Sequence, residues 1–147
     1  MDEKTKNKYL NSLERKIFSK KNRQNVELTL EWVSSMPCEP GVYLFMDKEK
    51  VVYVGETGLL QGRMNDVRST RNHTLRRSIG ERKFSKHSHY TKATSSLKYA
   101  EDIEILVNKY IKSLIVSILP VNLGRSELEE YLVSKYDPVY NKRKKRV

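Results

Sequence analysis

The chain has 147 residues, of which 37% are hydrophobic, a size that fits one domain with a core of its own. Its 29 Lys and Arg residues outnumber 18 Asp and Glu residues, which gives a formal net charge of +11 at pH 7. Such an excess must be solvated or matched by a polyanion such as nucleic acid. The single cysteine excludes an internal disulfide and a thiolate metal site. No apolar run reaches the length of a membrane span, so we expect a soluble, cytoplasmic protein with no membrane partner.

The first part of the chain has the pattern of a helical extension. Residues 4–18 carry apolar side chains at helical spacing, and residues 19–25 form a basic, polar linker. Residues 26–36 fit either a strand or a helix, because their apolar side chains satisfy both periods. Pro37 and Pro40 end this segment. We therefore predict an N-terminal helical extension over residues 1–36 that packs on the core.

A β-hairpin is predicted next. Residues 41–46 and 51–54 are short β-branched or aromatic runs, and residues 47–50 form a charged turn between them. Tyr43 and Tyr53 then lie on neighbouring antiparallel strands. If the loop holds an odd number of residues, both tyrosines lie on the same face of the sheet.

The helix that follows the hairpin carries an arginine on its apolar side. A helix from about Gly58 advances by about 100° per residue, which puts Arg63 inside the apolar arc. The arc consists of Leu59, Leu60, Met64 and Val67. An arginine directed into an apolar face needs an anionic partner, since burying its charge unpaired is costly. Together with the two tyrosines, it predicts a phosphate site.

The rest of the chain alternates helical and strand patterns. Helices are predicted over residues 73–79, 100–110 and 126–136, and a strand buried on both faces over residues 114–119. His87-Ser88-His89 has no partner at metal-ligand spacing and is assigned to a loop. The predicted fold is α+β: a small, three-stranded, mainly antiparallel sheet flanked by helices.

Two tripeptides and the end of the chain carry a family resemblance. Gly41-Val42-Tyr43, then Tyr53-Val54-Gly55, with Arg63 on the next helix, resembles the GIY-YIG nuclease domain. Glu129-Glu130-Tyr131-Leu132 and Pro138-Val139-Tyr140-Asn141 are similar to the closing helix and terminal asparagine of that family. The resemblance implies a nuclease domain over residues 37–141, followed by a basic C-terminal tail over residues 142–147.

The resemblance also implies an activity. It predicts an endonuclease that depends on Mg²⁺ (or Mn²⁺) and hydrolyses phosphodiester bonds in nucleic acid, with DNA expected rather than RNA. Glu129 would hold the metal, Tyr43 would act as general base, and Arg63 would stabilise the phosphate. The predicted catalytic set has three further members. The Tyr53 hydroxyl would position water or phosphate, His73 would donate a proton or contact phosphate, and the Asn141 amide would support the site.

Structural roles are open for the same residues. Ser126 and Glu129 have the spacing of a capping box, in which Glu129 would only return a hydrogen bond to the helix start. The tyrosines could be half-buried strand aromatics. Glu56 stands where repair-type members commonly carry lysine, which puts a repair-type phosphate contact in doubt. The alternative function is a non-catalytic nucleic-acid-binding module of the same fold.

The positive charge is concentrated in two stretches. Residues 63–98 contain ten Lys and Arg residues against two acidic ones, and residues 142–146 are an unbroken basic run. We expect the first stretch to bind backbone phosphates, while the second is either a solvated tail or a further contact. The predicted nucleic-acid-binding residues are Arg68, Arg71, Arg76, Arg77, Arg82, Lys83 and Lys86. The oligomeric state is left undetermined.

Overall fold

A computed structural model describes residues 1–142 of the chain, and the predicted basic tail lies almost entirely outside them. The helices are α1 (Glu3–Ile17), α2 (Leu30–Ser34), α3 (Leu60–Asp66), α4 (Thr74–Phe84), α5 (Glu101–Lys112) and α6 (Arg125–Tyr136). The strands are β1 (Arg23–Asn25), β2 (Gly41–Asp47), β3 (Lys50–Thr57) and β4 (Ile115–Pro120). In this part of the chain, no helix is long and apolar enough to cross a membrane.

The four strands form one antiparallel sheet in the order β1-β4-β2-β3, which confirms the predicted fold class. The sheet has one strand more than predicted, because β1 lies in the segment assigned to a linker. Its sequence is Arg23-Gln24-Asn25, which has no apolar residue and therefore no strand signal. It pairs along β4, with Gln24 opposite Val116. β4 thus lies between two strands, and its residues 116–119 are buried, all of them apolar except Ser117.

A β-bulge in the hairpin puts the two tyrosines on one face. The turn between β2 and β3 has two residues, Lys48 and Glu49, whereas the sequence argument required an odd number. With this turn alone the tyrosines would face opposite sides. The register shifts between Phe45 and Met46, so that Tyr43 lies opposite Gly55 and Phe45 opposite Tyr53. The extra residue in β3 returns both tyrosines to the same face of the sheet, as the prediction assumed.

Apolar side chains cover both faces of the sheet. Helices α1 and α6 pack on one face, where Leu13, Leu128 and Leu132 are buried against alternate residues of β2 and β3. On the other face, α2 to α5 cover Tyr43, Phe45 and Tyr53. The result is a three-layer arrangement whose second face carries the tyrosines.

Helix α2 settles the choice that the sequence left open for residues 26–36. Thr29 precedes the helix, and its hydroxyl oxygen accepts a hydrogen bond from the backbone N–H of Trp32 at 3.0 Å. Trp32 is 4% exposed and Val33 is 9% exposed, so the short helix presents its apolar side to the core. Residues 30–34 therefore form a helix and not the alternative strand.

Candidate active site

The two tyrosines of the motif lie side by side on the sheet. Their ring centroids are 6.2 Å apart and their planes differ by 29°. Tyr43 is 1% exposed and Tyr53 is 7% exposed. They are diagonal neighbours across the hairpin, since Tyr43 lies opposite Gly55. Their predicted proximity is therefore confirmed, although they are not directly opposite each other.

Both glycines of the motif stand where a side chain would collide with neighbouring atoms. A Cβ at Gly55 would lie 2.4 Å from both Cζ and Oη of Tyr43. A Cβ at Gly41 would lie 2.4 Å from the backbone oxygen of Leu119 and 2.6 Å from Cδ1 of Leu60. Gly55 gives the Tyr43 ring room to lie over β3, and Gly41 lets β2, β4 and α3 approach closely.

Arg63 extends from α3 to the tyrosine side of the sheet. Its Nη1 donates to Asp66 Oδ2 and to the backbone oxygen of Asn72, both at 3.1 Å. Burial raises the pKa of Tyr43 and of Tyr53, and the charge of Arg63 offsets part of this rise. The side chain is 28% exposed. Arg63 is thus held from one side and is still accessible to a ligand.

The apolar arc around Arg63 is narrower than the sequence indicated. Leu60, Met64 and Val67 are fully buried, whereas Leu59 precedes the helix and is 46% exposed. Partial burial acts to lower the pKa of Arg63, but the nearby Tyr43 oxygen and Asp66 carboxylate outweigh it and raise the pKa. The guanidinium is therefore cationic at any physiological pH.

His73 is a buried partner of Tyr43 rather than a surface histidine. Its side chain is 0% exposed, and its Nε2 lies 2.8 Å from the Tyr43 hydroxyl oxygen. His73 also precedes α4, where its Nδ1 accepts a hydrogen bond from the backbone N–H of Leu75 at 3.0 Å. Burial and then the charges of Arg63, Arg77 and Arg76 lower the pKa of His73 well below 6.5.

These contacts assign the proton on the imidazole. Because Nδ1 of His73 accepts a hydrogen bond and the ring is neutral, the proton is on Nε2. Nε2–H therefore donates to the Tyr43 oxygen. In this state His73 cannot take a proton from Tyr43. It can only stabilise negative charge on that oxygen.

The tyrosine hydroxyls hold their protons in the protein alone. Burial raises the pKa of Tyr43, and the neighbouring Tyr53 raises it further, while Arg63 offsets part of the change. Burial also raises the pKa of Tyr53, and the charge of Glu129 adds to this effect. Glu129 is thus one of the groups whose charge acts on the Tyr53 hydroxyl.

Glu129 is not part of a capping box. Helix α6 begins at Arg125, one residue before the predicted N-cap Ser126, and is preceded by Gly124 with φ 88°. Gly124 has no side chain to cap the helix, so the capping-box alternative is wrong. Glu129 is half-buried, whereas Glu127 and Glu130 are exposed.

Asn141 closes the free edge of β3 beside Tyr53. Its Nδ2 donates to the Val54 backbone oxygen at 2.8 Å, and its Oδ1 accepts from the Val54 N–H at 2.9 Å. The backbone N–H of Tyr140 donates to Val52 O at 3.0 Å. The segment after α6 therefore pairs with the outer strand and holds it in place. Asn141 thereby fixes the backbone of β3 next to Tyr53.

The predicted nucleic-acid-binding residues divide by exposure. Arg76 is 2% exposed; its Nε donates to Thr70 Oγ1 at 3.1 Å, and its Nη2 lies 3.6 Å from Glu104 Oε1. It is bound inside the protein, which removes it from the predicted surface. Arg77 is half-buried and donates to backbone oxygens of the preceding loop. The exposed members are Arg68, Arg71, Arg82, Lys83 and Lys86.

Two arrangements were missed by the sequence analysis. Glu56, the departure from the repair-type pattern, pairs with Arg125 at 3.4 Å and so joins the end of β3 to the start of α6. His87 and His89, assigned to a loop without partners, lie beside Asp102. These pairs are far apart in the chain, and no local pattern links them.

No family model and no curated protein matches the chain. Three solved structures that match are of the GIY-YIG N-terminal endonuclease domain of UvrC from Thermotoga maritima, each a point mutant bound to its catalytic divalent cation. Their identities are 20%, 19% and 20%, and their TM-scores are 0.45, 0.45 and 0.40. The matches cover 77%, 77% and 78% of this chain and 93%, 93% and 100% of theirs.

Identity at this level transfers no residue's role, so the site is assigned from the contacts of this chain. Those contacts place the two tripeptides on adjacent antiparallel strands of one sheet, as the motif requires. The matched structures are GIY-YIG domains, the family that the two tripeptides resemble.

Proposed function

We propose that the protein is an endonuclease that hydrolyses phosphodiester bonds in DNA with a divalent cation, Mg²⁺ or Mn²⁺. The observation that carries the proposal is that the two buried tyrosine hydroxyls, the part-exposed guanidinium of Arg63 and the neutral ring of His73 lie together beside β2 and β3. Binding alone would not require a neutral histidine beneath one hydroxyl. The proposed site residues are Tyr43, Tyr53, Arg63, His73, Glu129 and Asn141.

The residues present fit a hard cation. Glu129 offers a carboxylate, and the nearby tyrosines offer further oxygen atoms, which is the donor chemistry that Mg²⁺ and Mn²⁺ prefer. We assign Glu129 as the side chain that would hold the ion. When bound, the ion supplies Lewis-acid stabilisation of the phosphate and lowers the pKa of a coordinated water.

The chain supplies the charge and proton handling around the reacting phosphate. Arg63 has an accessible guanidinium, and its fork can bind phosphate oxygens and stabilise the charge that develops on them. Tyr43 is proposed as the general base. Its anionic form would accept a hydrogen bond from His73 Nε2–H and be stabilised by Arg63. Since burial raises the pKa of Tyr43, the base role is proposed for the cation-loaded protein only.

The exposed basic residues between α3 and α5 are proposed to bind the nucleic acid backbone. Arg68, Arg71, Arg82 and Lys86 are exposed, and Lys83 lies 4.3 Å from the ring centroid of Tyr110. Contacts of this kind position a strand and do not read its sequence. A contribution of residues 142–147 stays a prediction, as does the division into an extension (1–36), a nuclease domain (37–141) and a tail.

A cleavage assay tests the proposal. Supercoiled plasmid, branched DNA and structured RNA are incubated with the protein in Mg²⁺, Mn²⁺ or EDTA, and binding is measured in parallel by gel shift. We expect cleavage of at least one DNA substrate with Mg²⁺ or Mn²⁺ and none with EDTA. Tight binding of all substrates without cleavage in any metal would favour the non-catalytic binding module. Cleavage in EDTA would refute the metal-dependent account.

A further inference from the structure

A second group of ligating side chains lies outside the tyrosine site. His87, His89 and Asp102 each place one ligand atom within 4.8 Å of the others. Within residues 1–142 this is the one group of three His, Cys, Asp or Glu side chains found at such distances. We infer that His87, His89 and Asp102 bind a transition-metal ion such as Zn²⁺, which connects the loop after α4 to the start of α5.

The backbone brings these residues together from two elements. His87 N–H donates to Phe84 O and Tyr90 N–H donates to His87 O, both at 3.0 Å. This turn holds the two imidazole rings with their centroids 5.5 Å apart. Asp102 lies in the first turn of α5 and is 13 residues after His89. The donors therefore form a group that has no recognisable spacing in the sequence.

One pair within the group already has the arrangement that metal sites use. Nδ1 of His89 and Oδ2 of Asp102 are hydrogen-bonded, and Oδ1 of Asp102 accepts from the Ile103 N–H at 2.9 Å. A carboxylate bound to an imidazole either shares the ion with it or fixes the ring that does. Both arrangements leave the pair able to hold one ion together with His87.

The donor set selects the kind of ion. His89 N–H donates to Nδ1 of His87 at 3.1 Å. Metal binding through either nitrogen of the His87 ring breaks this hydrogen bond, because the ion occupies Nδ1 or the ring proton moves to it. Ions with high affinity for imidazole, such as Zn²⁺, Ni²⁺ and Cu²⁺, offset that cost, while Mg²⁺ does not. The site thus differs in chemistry from the all-oxygen donors proposed around Glu129.

The ligating side chains of this group are open to solvent. The side chains of His89 and Asp102 are 67% and 42% exposed, so water completes the coordination. Residues 85–100 contain no helix or strand and carry three lysines, Lys86, Lys92 and Lys98. An ion across this loop fixes its first residues to α5 and thereby orders a basic segment. This inference does not rest on the proposed function.

Metal titration of the untagged full chain tests the inference, since a histidine tag would bind the same ions. Zn²⁺ affinity is measured by competition with a chelating dye, and Co²⁺ is used to record the absorption of a low-symmetry site. We expect one ion per chain, with a Kd that rises by about tenfold or more in His89→Ala and in Asp102→Asn. Zn²⁺ should raise the melting temperature of the wild type but not that of His89→Ala.

Two controls make the result specific. Glu101→Gln changes an exposed neighbour on the same helix turn, and Glu129→Ala changes the other proposed metal ligand. Both should bind Zn²⁺ with the wild-type Kd. Equal affinity in all variants, loss of Zn²⁺ binding in Glu129→Ala alone, or no saturable binding by the wild type would each overturn the inference.

Discussion

Replacing Gly55 by alanine tests the geometry of the site without removing any functional group. The new Cβ would lie 2.4 Å from Cζ and Oη of Tyr43, whereas real Cβ contacts begin near 3.0 Å. The Tyr43 ring must therefore move by about 0.6 Å or more, and it is buried, with its hydroxyl bound to His73. Overpacking of this kind costs about 1–3 kcal/mol of folding stability.

The effect on catalysis should exceed the effect on stability. A misplacement of about 1 Å at a reacting group lowers rates by roughly 100-fold. We expect Gly55→Ala to lower the single-turnover rate of DNA cleavage by about this factor, while DNA affinity changes little because the basic surface is separate. Cleavage rates are measured on folded protein, with stability determined by urea unfolding.

Gly62→Ala is the matched control. The three atoms nearest to its Cβ would all belong to Leu59, with Cδ2 at 3.2 Å, and Leu59 is an exposed side chain that can move. Because Gly62 lies inside α3, alanine should stabilise the protein by about 0.5–1 kcal/mol and leave cleavage unchanged. If Gly55→Ala cleaves at the wild-type rate, Tyr43 is not positioned for the chemistry, and the proposed role of its hydroxyl is refuted.

Three further predictions concern the partners of the tyrosines. Arg63→Ala should lower the cleavage rate by about 100-fold or more at a stability cost of about 1–2 kcal/mol, and Arg63→Lys should rescue weakly; a near wild-type rate contradicts this. The pKa of His73 is lowered in the folded state, so the unfolded state takes up a proton at a higher pH than the folded state does. Stability should therefore fall as the pH drops below 6.5, by up to about 1.4 kcal/mol per pH unit. Urea titrations at pH 7.5 and 5.5 should find this loss in the wild type and not in His73→Gln; equal losses contradict it. Asn141→Ala removes both side-chain bonds to Val54 and should cost about 1–3 kcal/mol, while an unchanged urea midpoint would contradict that contact.

The sequence predicted the parts of the site that depend on local pattern. The hairpin and the helix of Arg63 follow from periods of 2 and 3.6 residues. The face shared by the tyrosines was predicted for a different reason from the one observed. An odd loop was assumed, whereas an even turn and a bulge after Phe45 produce the same parity.

The remaining differences come from contacts between distant parts of the chain. Arg76 stands in a basic run, and its contacts with Val67 O, with Thr70 and with Glu104, 28 residues further on, explain its burial. His73 has no signal of burial in its polar surroundings. The group of His87, His89 and Asp102 joins a loop to a helix start. The pattern of one segment carries no information about partners that lie elsewhere in the chain.

Glu129 is proposed to take part in the chemistry of this site and not only in the structure of its helix. The most direct test compares Glu129→Ala with Glu130→Ala, a neighbouring exposed glutamate on the same helix. Cleavage in Mg²⁺, DNA affinity and urea stability are measured for both variants. We expect Glu129→Ala to lose cleavage with its DNA affinity and stability largely retained, and Glu130→Ala to match the wild type in all three. Cleavage by Glu129→Ala at a near wild-type rate would contradict the proposed site.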